Sequence, residues 1–227
     1  MYRHDPPLPE DAAYRVFRTD ARPSTMLSGH DPAWRTARTI AWGPAPYRTS
    51  FAALWNDQGL AVRFLVCDTH PWHTMTRRDD RIAEEEVVEI FLDPTRNGRH
   101  YAEVEFSPNN VVTDLHIHEP APNLTGDRSW DWSGLESTVV RGSCAGLDAG
   151  GWVVLAWLPW HGLRLTAEVA AHVPPAPGDR WRFNVFRIKR PYGPAEPERE
   201  AIYAAWSVPG GPSFHEPRSF RDLVFGP

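Results

Sequence analysis

The chain has 227 residues, 41% of them hydrophobic, and a formal net charge of −5, which is typical of one globular domain with a sizeable core. The negative charge and the lack of a long basic run argue against nucleic acid as the main partner. No apolar run reaches the roughly 18 residues that a membrane-spanning helix requires, so we expect no membrane partner. Nothing in the composition indicates the oligomeric state.

The N-terminus and the rarer residue types add three expectations. Residues 1–7 lack the apolar stretch of a signal peptide, so a cytoplasmic protein is the default expectation. The two cysteines, Cys67 and Cys144, are too few for a disulfide framework. Lys189 is the only lysine among 24 Lys and Arg residues, a bias that indicates a GC-rich, bacterial genome rather than a function.

Turn-forming residues punctuate the whole chain, which has 23 Pro and 16 Gly. Residues 1–24 are predicted to form an N-terminal arm or lead-in strand, and residues 25–227 one domain. Strands are predicted at 51–55, 60–67, 87–92, 101–106, 111–119, 137–141, 151–158, 180–189, 201–207 and 223–225. Short helical turns are predicted after the capping residue Asp31 and at 161–165. The predicted fold is all-β, a single antiparallel β-sandwich of about ten strands with one or two short helical turns.

The clearest strand pattern also carries a charged group. Its apolar residues alternate on one face and are predicted to join the core, which includes Val62, Phe64, Val88, Ile90 and Leu92. The opposite face carries Glu89 between Val87 and Phe91. A carboxylate in that position is usually solvated or part of a salt bridge, but it can also accept hydrogen bonds from the hydroxyl groups of a ligand.

Several short motifs occur in an order and spacing that resemble the family 9 carbohydrate-binding modules and the DOMON-like superfamily around them. The motifs are Asp31-Pro32-Ala33-Trp34, Trp55-Asn56-Asp57 with Gly59-Leu60-Ala61-Val62, Val88-Glu89-Ile90-Phe91-Leu92-Asp93-Pro94, Phe183-Asn184-Val185-Phe186-Arg187, Trp206-Ser207, and Phe214-His215 with Pro217. The resemblance spans residues 25–226. It implies a jelly-roll-like β-sandwich that binds sugar rather than cleaving it.

The resemblance also implies a place for the sugar. In the sugar-binding members of the family, two Trp side chains sandwich a terminal sugar ring, and polar side chains take its hydroxyl groups. The Glu of the family motif corresponds to Glu89, while Ala83 stands at the first Trp position and Phe214 near the second. The expected ligand is the end of a mono- or oligosaccharide in a pocket on the sheet face.

Strand alternation and loop position predict further ligand-binding residues. The predicted polar neighbours of Glu89 are Arg63, Glu105 and Arg187, and the predicted aromatic walls are Trp72 and Trp206 besides Phe214. The side of the sheet on which Arg187 lies is left undecided, because period-two alternation places it on the same face as Phe183 and Val185.

One strand pattern leaves a metal site open. Asp114, His116 and His118 occupy alternate positions of a predicted strand, so their side chains lie on one face. Imidazole and carboxylate groups together can hold a metal ion. Alternating polar residues are equally typical of a strand that faces solvent.

Two cofactors are considered from the resemblance alone. Calcium is bound by surface carboxylates in the family, which makes Asp79, Asp80 and Asp93 candidates. Some DOMON-like proteins bind haem, for which Met75 and Lys189 are the candidate ligands, although neither lies in a haem motif. We therefore expect no cofactor, with a bound calcium ion as the alternative.

The sequence predicts a protein that is not an enzyme. It contains no Gly-x-Ser-x-Gly, no His-Glu-x-x-His and no glycine-rich phosphate loop. Glu103 and Glu105 lie near Glu89, and glycosidases use carboxylate pairs, but ion pairs with Arg63 or Arg187 are the simpler interpretation. A structural or partner-binding domain with a degenerate sugar site is the alternative from another class.

Overall fold

The structure, a computed structural model, describes residues 8–9, 12–141, 150–193 and 200–227. Its strands are β1 (Ala13–Arg18), β2 (Thr39–Trp42), β3 (Thr49–Asn56), β4 (Gly59–Cys67), β5 (Val87–Asp93), β6 (Tyr101–Phe106), β7 (Val112–Glu119), β8 (Thr125–Asp127), β9 (Glu136–Arg141), β10 (Gly151–Pro159), β11 (Arg180–Lys189), β12 (Ile202–Ala205) and β13 (Arg221–Phe225). Its helices are α1 (Pro23–Met26), α2 (Ala167–Ala170) and 3-10 helices at Pro32–Arg35, Ile82–Glu84, Trp160–Gly162 and Pro217–Ser219. None of the helices in these ranges has the length and apolar character to cross a membrane.

Strand β1 joins two halves of one large sheet. The β5 half has the order β8-β7-β6-β5-β11-β13, with β12 beside β11, and the β4 half has the order β3-β4-β10-β9, with β2 beside β3. β1 pairs in parallel with β13 through residues 13–16 and in parallel with β3 through residues 17–18. The all-β prediction is confirmed. The described residues form a mixed sheet of 13 strands, so the wholly antiparallel β-sandwich of about ten strands is not confirmed.

The parallel pairing of β1 with β3 follows from the chain between these two strands. Antiparallel neighbours can be joined by a two-residue hairpin, as β3 and β4 are at Asp57 and Gln58, whereas parallel neighbours need a long crossover. Residues 19–48 provide this crossover and contain α1, a 3-10 helix and β2. Because this segment is polar and rich in Pro, its sequence does not show the regular pattern of a crossover, and the parallel pairing of β1 could not be predicted from it.

The inner faces of the two halves share one core. The five predicted core residues of β4 and β5 all lie in it, which confirms the alternation read from the sequence. Phe51 of β3 lies 6.1 Å from Phe183 of β11, and Phe64 of β4 lies 6.4 Å from Phe106 of β6, measured between ring centroids. These contacts run from one half to the other, so the sheet curls around its core.

A second apolar cluster covers the outward face of the β5 half. The strands contribute Val87, Phe91, Tyr101, Ile117, Phe186 and Ile188 to it. Two segments lie over this face: the 3-10 helix Ile82–Glu84, and residues 214–220 before β13. The side chain of Glu89, on the same face, is therefore only 2% exposed.

Two local predictions can be compared directly with the structure. Asp31 accepts a hydrogen bond from the backbone N–H of Ala33 at 2.9 Å and caps the 3-10 helix Pro32–Arg35, as predicted. Cys67 is a half-buried free thiol at the end of β4, and Cys144 lies outside the described residues.

Candidate functional site

Three carboxyl side chains lie next to one another on the covered face of the β5 half. Glu89 of β5 is directly opposite Glu105 of β6, and Phe91, two residues further along β5, is opposite Glu103. Opposite residues in an antiparallel ladder have Cβ atoms about 4.5–5.5 Å apart. The three glutamates, called the Glu cluster below, are 2–5% exposed, so they form a buried acidic group.

Burial dominates the protonation of the Glu cluster. It raises the pKa of Glu105 to about 7, and it raises the pKa values of Glu89 and Glu103 well above their usual range, with repulsion from Glu105 as the next cause. Glu103 and Glu105 share a hydrogen bond that favours a proton on Glu103 and a negative charge on Glu105. Arg128 also favours the charged form of both. Near neutral pH the cluster therefore offers both hydrogen-bond donors and acceptors.

Glu105 carries an oxygen without a hydrogen-bond partner. The backbone N–H of Ala83 donates to its carboxylate, but Oε2 has no partner among the described residues. An unsatisfied buried polar atom costs about 1–3 kcal/mol. A hydroxyl group bound beside Glu105 would remove this cost.

An aromatic ring and an imidazole border the Glu cluster. Phe214 stacks on Phe186 with ring centroids 4.3 Å apart, and Phe186 is the register partner of Glu89 on β11. His215 Nε2 lies 3.7 Å from Glu103 Oε2. Burial lowers the pKa of His215 to about 4, so His215 is a neutral neighbour of Glu103 near neutral pH.

The two wall positions that the family resemblance implies flank the Glu cluster. On one side, the backbone N–H of Ala83 donates to Glu105. On the other side, Phe214 stacks on Phe186, the residue of β11 directly opposite Glu89. Ala83 is half-buried, whereas Phe214 is buried. The cluster is thus bordered by a small side chain at one edge and by an aromatic ring at the other.

Two of the predicted site residues lie on other surfaces. Arg63 lies on the outward face of the β4 half, with its guanidinium 4.7 Å from the ring of Trp34, and the core separates it from Glu89. Trp206 is packed in the core, 5.1 Å from Phe183. The structure does not bring these two residues to Glu89. Alternation along a strand predicts which face of the sheet a side chain lies on, but not which half of the sheet its strand joins.

Arg187 belongs to a buried charge network instead of the Glu cluster. Its register partner is Val88, so it points inward. Arg187 Nη2 lies 2.7 Å from Asp68 Oδ2 and 3.3 Å from Glu86 Oε2, and Lys189 Nζ pairs with both acids. Burial raises the pKa of Glu86 to about 7, against the opposing effect of the two cations.

Trp72 lies beside this network and not beside Glu89. It is buried, and its indole N–H donates to the carbonyl of Arg190 at 2.8 Å. The two haem candidates are separated: Lys189 is committed to the charge network, whereas Met75 packs against the second apolar cluster.

The metal set predicted from β7 is divided in the structure. Asp114 pairs with Arg78, whose Nη2 donates to its Oδ1 at 2.5 Å. His116 and His118 instead meet His100, and His100 Nδ1 lies 3.1 Å from His116 Nε2. Burial and the two neighbouring histidines lower the pKa of His116 to about 4. His100 therefore takes the place predicted for Asp114.

The calcium candidates serve different parts of the fold. Asp79 lies 3.7 Å from Arg78 Nε, within an acidic group that this arginine neutralises. Asp80 accepts hydrogen bonds from two backbone N–H groups just before it, and Asp93 from two just after it. The structure does not bring the three carboxylates together.

Three residues in or beside the Glu cluster are not among those that the sequence assigns to the site. Glu103 follows from the same alternation that selects Glu105, so the pattern of β6 contains this signal. His215 and Arg128 approach from loops far away in the sequence. His215 lies in the motif Phe214-His215, from which only Phe214 is assigned to the site, and no local pattern identifies Arg128.

No protein-family model matches the chain. A protein of the fungus Arthroderma benhamiae, named as an extracellular protein, is 25% identical over 189 residues, which cover 78% of each chain.

Solved structures share the fold. A candidate carbohydrate-binding protein from Bacteroides uniformis matches with a TM-score of 0.68 and 16% identity over 94% of this chain and 98% of its own. A family 9 carbohydrate-binding module from Caldicellulosiruptor kristjanssonii matches in complex with cellotriose (TM-score 0.61, 15% identity, 95% and 94% covered). It also matches in complex with glucose (TM-score 0.59, 15% identity, 95% and 97% covered). The resemblance to family 9 modules is thus confirmed at the level of the fold.

Proposed function

We propose that the protein binds the end of a carbohydrate at the Glu cluster. The observation that carries this proposal is the row of three adjacent buried carboxyl groups, one with an unpaired oxygen, next to an aromatic ring. Burying acidic groups that repel one another opposes folding unless something pairs with them. A ligand rich in hydroxyl groups would supply the missing partners.

Sugar hydroxyl groups match the mixed protonation of the Glu cluster. A hydroxyl group both donates and accepts hydrogen bonds, so it can donate to the Glu105 carboxylate and accept from a protonated Glu89, whose pKa burial raises well above its usual range. A hydrogen bond to a charged group contributes about 1.5–3 kcal/mol, which corresponds to tenfold or more in affinity. The ring of Phe214 would cover the apolar C–H face of the sugar.

A sugar would have to enter between the two covering segments, Ile82–Glu84 and residues 214–220, and these segments would have to move apart because the Glu cluster is only 2–5% exposed. The first segment presents the small side chain of Ala83 beside Glu105, which leaves the Glu105 edge the less obstructed one. A gap formed between these two segments would suit one terminal sugar residue. A flat polymer face is not favoured, because Tyr192 is the only large aromatic side chain exposed among the described residues.

We propose binding without cleavage. The solved relatives of this fold include binding modules in complex with cellotriose and with glucose.

A structural or partner-binding domain is the second candidate. The observation in its favour is the burial of the three glutamates of the Glu cluster, together with Ala83 at the position where the family has a Trp wall. In that role the Glu cluster would be a closed remnant of a sugar site.

A glycan array followed by calorimetric titration with glucose, cellobiose and cellotriose separates these two candidates. Sugar binding predicts a saturable isotherm for the wild type that weakens at least tenfold in Glu105→Gln. Glu136→Gln, at an exposed carboxylate of β9, is the matched control and should bind like the wild type. Silence on the array and in calorimetry would contradict sugar binding and support the structural role.

A further inference from the structure

Three histidines converge at the edge of the β5 half, on the face opposite the Glu cluster. His116 and His118 are alternate residues of β7, and His116 is the register partner of Ala102, whose side chain lies in the main core. His100 immediately precedes β6 and approaches them from the side. One ring nitrogen of each histidine lies within 4.8 Å of one nitrogen of each of the others.

The chain around the histidines holds this arrangement in place. Arg99 and Glu119, which directly adjoin His100 and His118, form an ion pair that ties the start of β6 to the end of β7. His100 itself has a left-handed backbone (φ +53°), which is uncommon outside glycine. The three rings are therefore brought together by the fold and not by strand alternation alone.

The three imidazoles are their own polar partners. Within the described residues, their rings form one hydrogen bond, the 3.1 Å contact between His100 Nδ1 and His116 Nε2. The remaining contacts are between rings, with centroids 4.1 Å apart for His116 and His118 and 5.7 Å for His100 and His118. A metal ion would replace this hydrogen bond, because both nitrogens would then offer their lone pairs to the ion.

The separations suit a tetrahedral metal ion. Two imidazole nitrogens bound to one zinc ion at about 2.0–2.1 Å are roughly 3.3 Å apart when the angle is tetrahedral. The 3.1 Å separation of His100 Nδ1 and His116 Nε2 is close to that value. A ring nitrogen of His118 lies within 4.8 Å of a nitrogen of each of the other two, and its half-buried position leaves access for an ion.

A carboxylate stands beside the histidines. Asp127 of β8 is the register partner of His116, so its side chain lies on the same face. Its Oδ1 accepts hydrogen bonds from the backbone N–H and the hydroxyl of Ser129, at 2.8 and 2.6 Å. This leaves Oδ2 available, and the carboxylate supplies negative charge next to a bound cation.

We propose that His100, His116 and His118 bind one divalent transition-metal ion of the zinc class, with Asp127 as the adjacent carboxylate. Imidazole nitrogen is a suitable ligand for zinc, cobalt, nickel and copper, whereas calcium and magnesium take oxygen ligands. Three protein ligands leave a coordination position for water or another molecule. The site is independent of the Glu cluster, because the sheet separates the two.

Titration of tag-free protein, first treated with EDTA, with Zn²⁺ and Co²⁺ tests this site. We expect one ion per chain by calorimetry and the visible absorption bands of tetrahedral Co²⁺. His100→Ala and His118→Ala, both at half-buried positions, should weaken Zn²⁺ binding at least tenfold, and Asp127→Asn should weaken it less. His172→Ala, at an exposed histidine after α2, is the matched control and should bind Zn²⁺ like the wild type.

Two further measurements keep the proposal testable. Asp114→Asn should leave Zn²⁺ affinity unchanged, because Asp114 pairs with Arg78; a loss equal to that of His118→Ala would contradict the set named here. In wild-type protein, NMR of the imidazole nitrogens should show Zn²⁺-dependent shifts for these three histidines alone, whether or not any variant folds. Absence of Zn²⁺ and Co²⁺ binding, or binding that survives in His100→Ala and His118→Ala, would overturn the proposal.

Discussion

Glu89 and Glu105 lie directly opposite each other on β5 and β6, and each is only 2% exposed. A pair of acids in this position weakens the fold unless the acids are neutral or bound to a partner. This relationship has consequences for stability as well as for binding.

The first prediction concerns stability and pH. In the unfolded chain Glu105 loses its proton near pH 4.5, whereas in the folded protein it keeps the proton up to about pH 7. Between these values the folded state holds more protons, so the contribution of Glu105 to the free energy of unfolding falls as pH rises, and then stays constant above pH 7. The loss from Glu105 is about 3 kcal/mol, from 1.36 kcal/mol per pKa unit.

Urea unfolding of wild type, Glu105→Gln and Glu136→Gln between pH 4.5 and 8 measures this loss. Glu105→Gln should lose less stability than the wild type as pH rises, although Glu86, Glu89 and Glu103 still contribute a fall in the same direction. Glu136→Gln should follow the wild type. Parallel curves for wild type and Glu105→Gln would contradict the buried, protonated state of Glu105.

The second prediction restores an aromatic wall. Ala83→Trp should strengthen sugar binding several-fold, because an indole beside Glu105 would add apolar contact with the sugar ring worth roughly 1 kcal/mol. Ala83 is half-buried, so the larger side chain can extend toward solvent. Ala171→Trp, at an exposed site after α2, is the control. Equal affinities of the two variants in calorimetry would remove Ala83 from the edge of the binding site.

The third prediction separates the buried charge network from the Glu cluster. Arg187→Met should lower the free energy of unfolding by about 3–5 kcal/mol, because Asp68 and Glu86 would keep Lys189 as their one remaining cation in that network. Arg77→Met, which removes an exposed guanidinium paired at 3.9 Å with Asp80, should change stability by less than about 1 kcal/mol.

Urea unfolding compares these two variants, and calorimetry with a bound sugar adds a second readout. Folded Arg187→Met should keep the sugar affinity of the wild type, since Arg187 faces the inner side of the sheet. If Arg187→Met lost sugar affinity without losing stability, Arg187 would be part of the ligand-binding site and this prediction would be wrong.

Much of the local structure could be predicted from the sequence because alternation is a local property. The bounds of β6 and β11 and the core face of β5 follow from their own residues. The same alternation groups Arg187 with Phe183 and Val185, and this grouping correctly indicates its inward face.

Properties that depend on distant segments were not predictable. The parallel pairing of β1 depends on a crossover without a clear pattern, and Trp206 and Arg63 required knowledge of which half of the sheet they join. His100 approaches β7 from outside the strand that suggested a metal site, so Asp114 was selected in its place.

The central claim is that sugar binds at the Glu cluster, and NMR titration of labelled wild-type protein with glucose and cellotriose tests it most directly. We predict saturable shifts at the three glutamates of the cluster, at Ala83 and around Phe214, with no shifts near Arg63. Shifts centred elsewhere, for example at the groove of about 600 Å³ lined by Trp157, Trp160 and His161, or no shifts with any sugar that the glycan array selects, would contradict the claim.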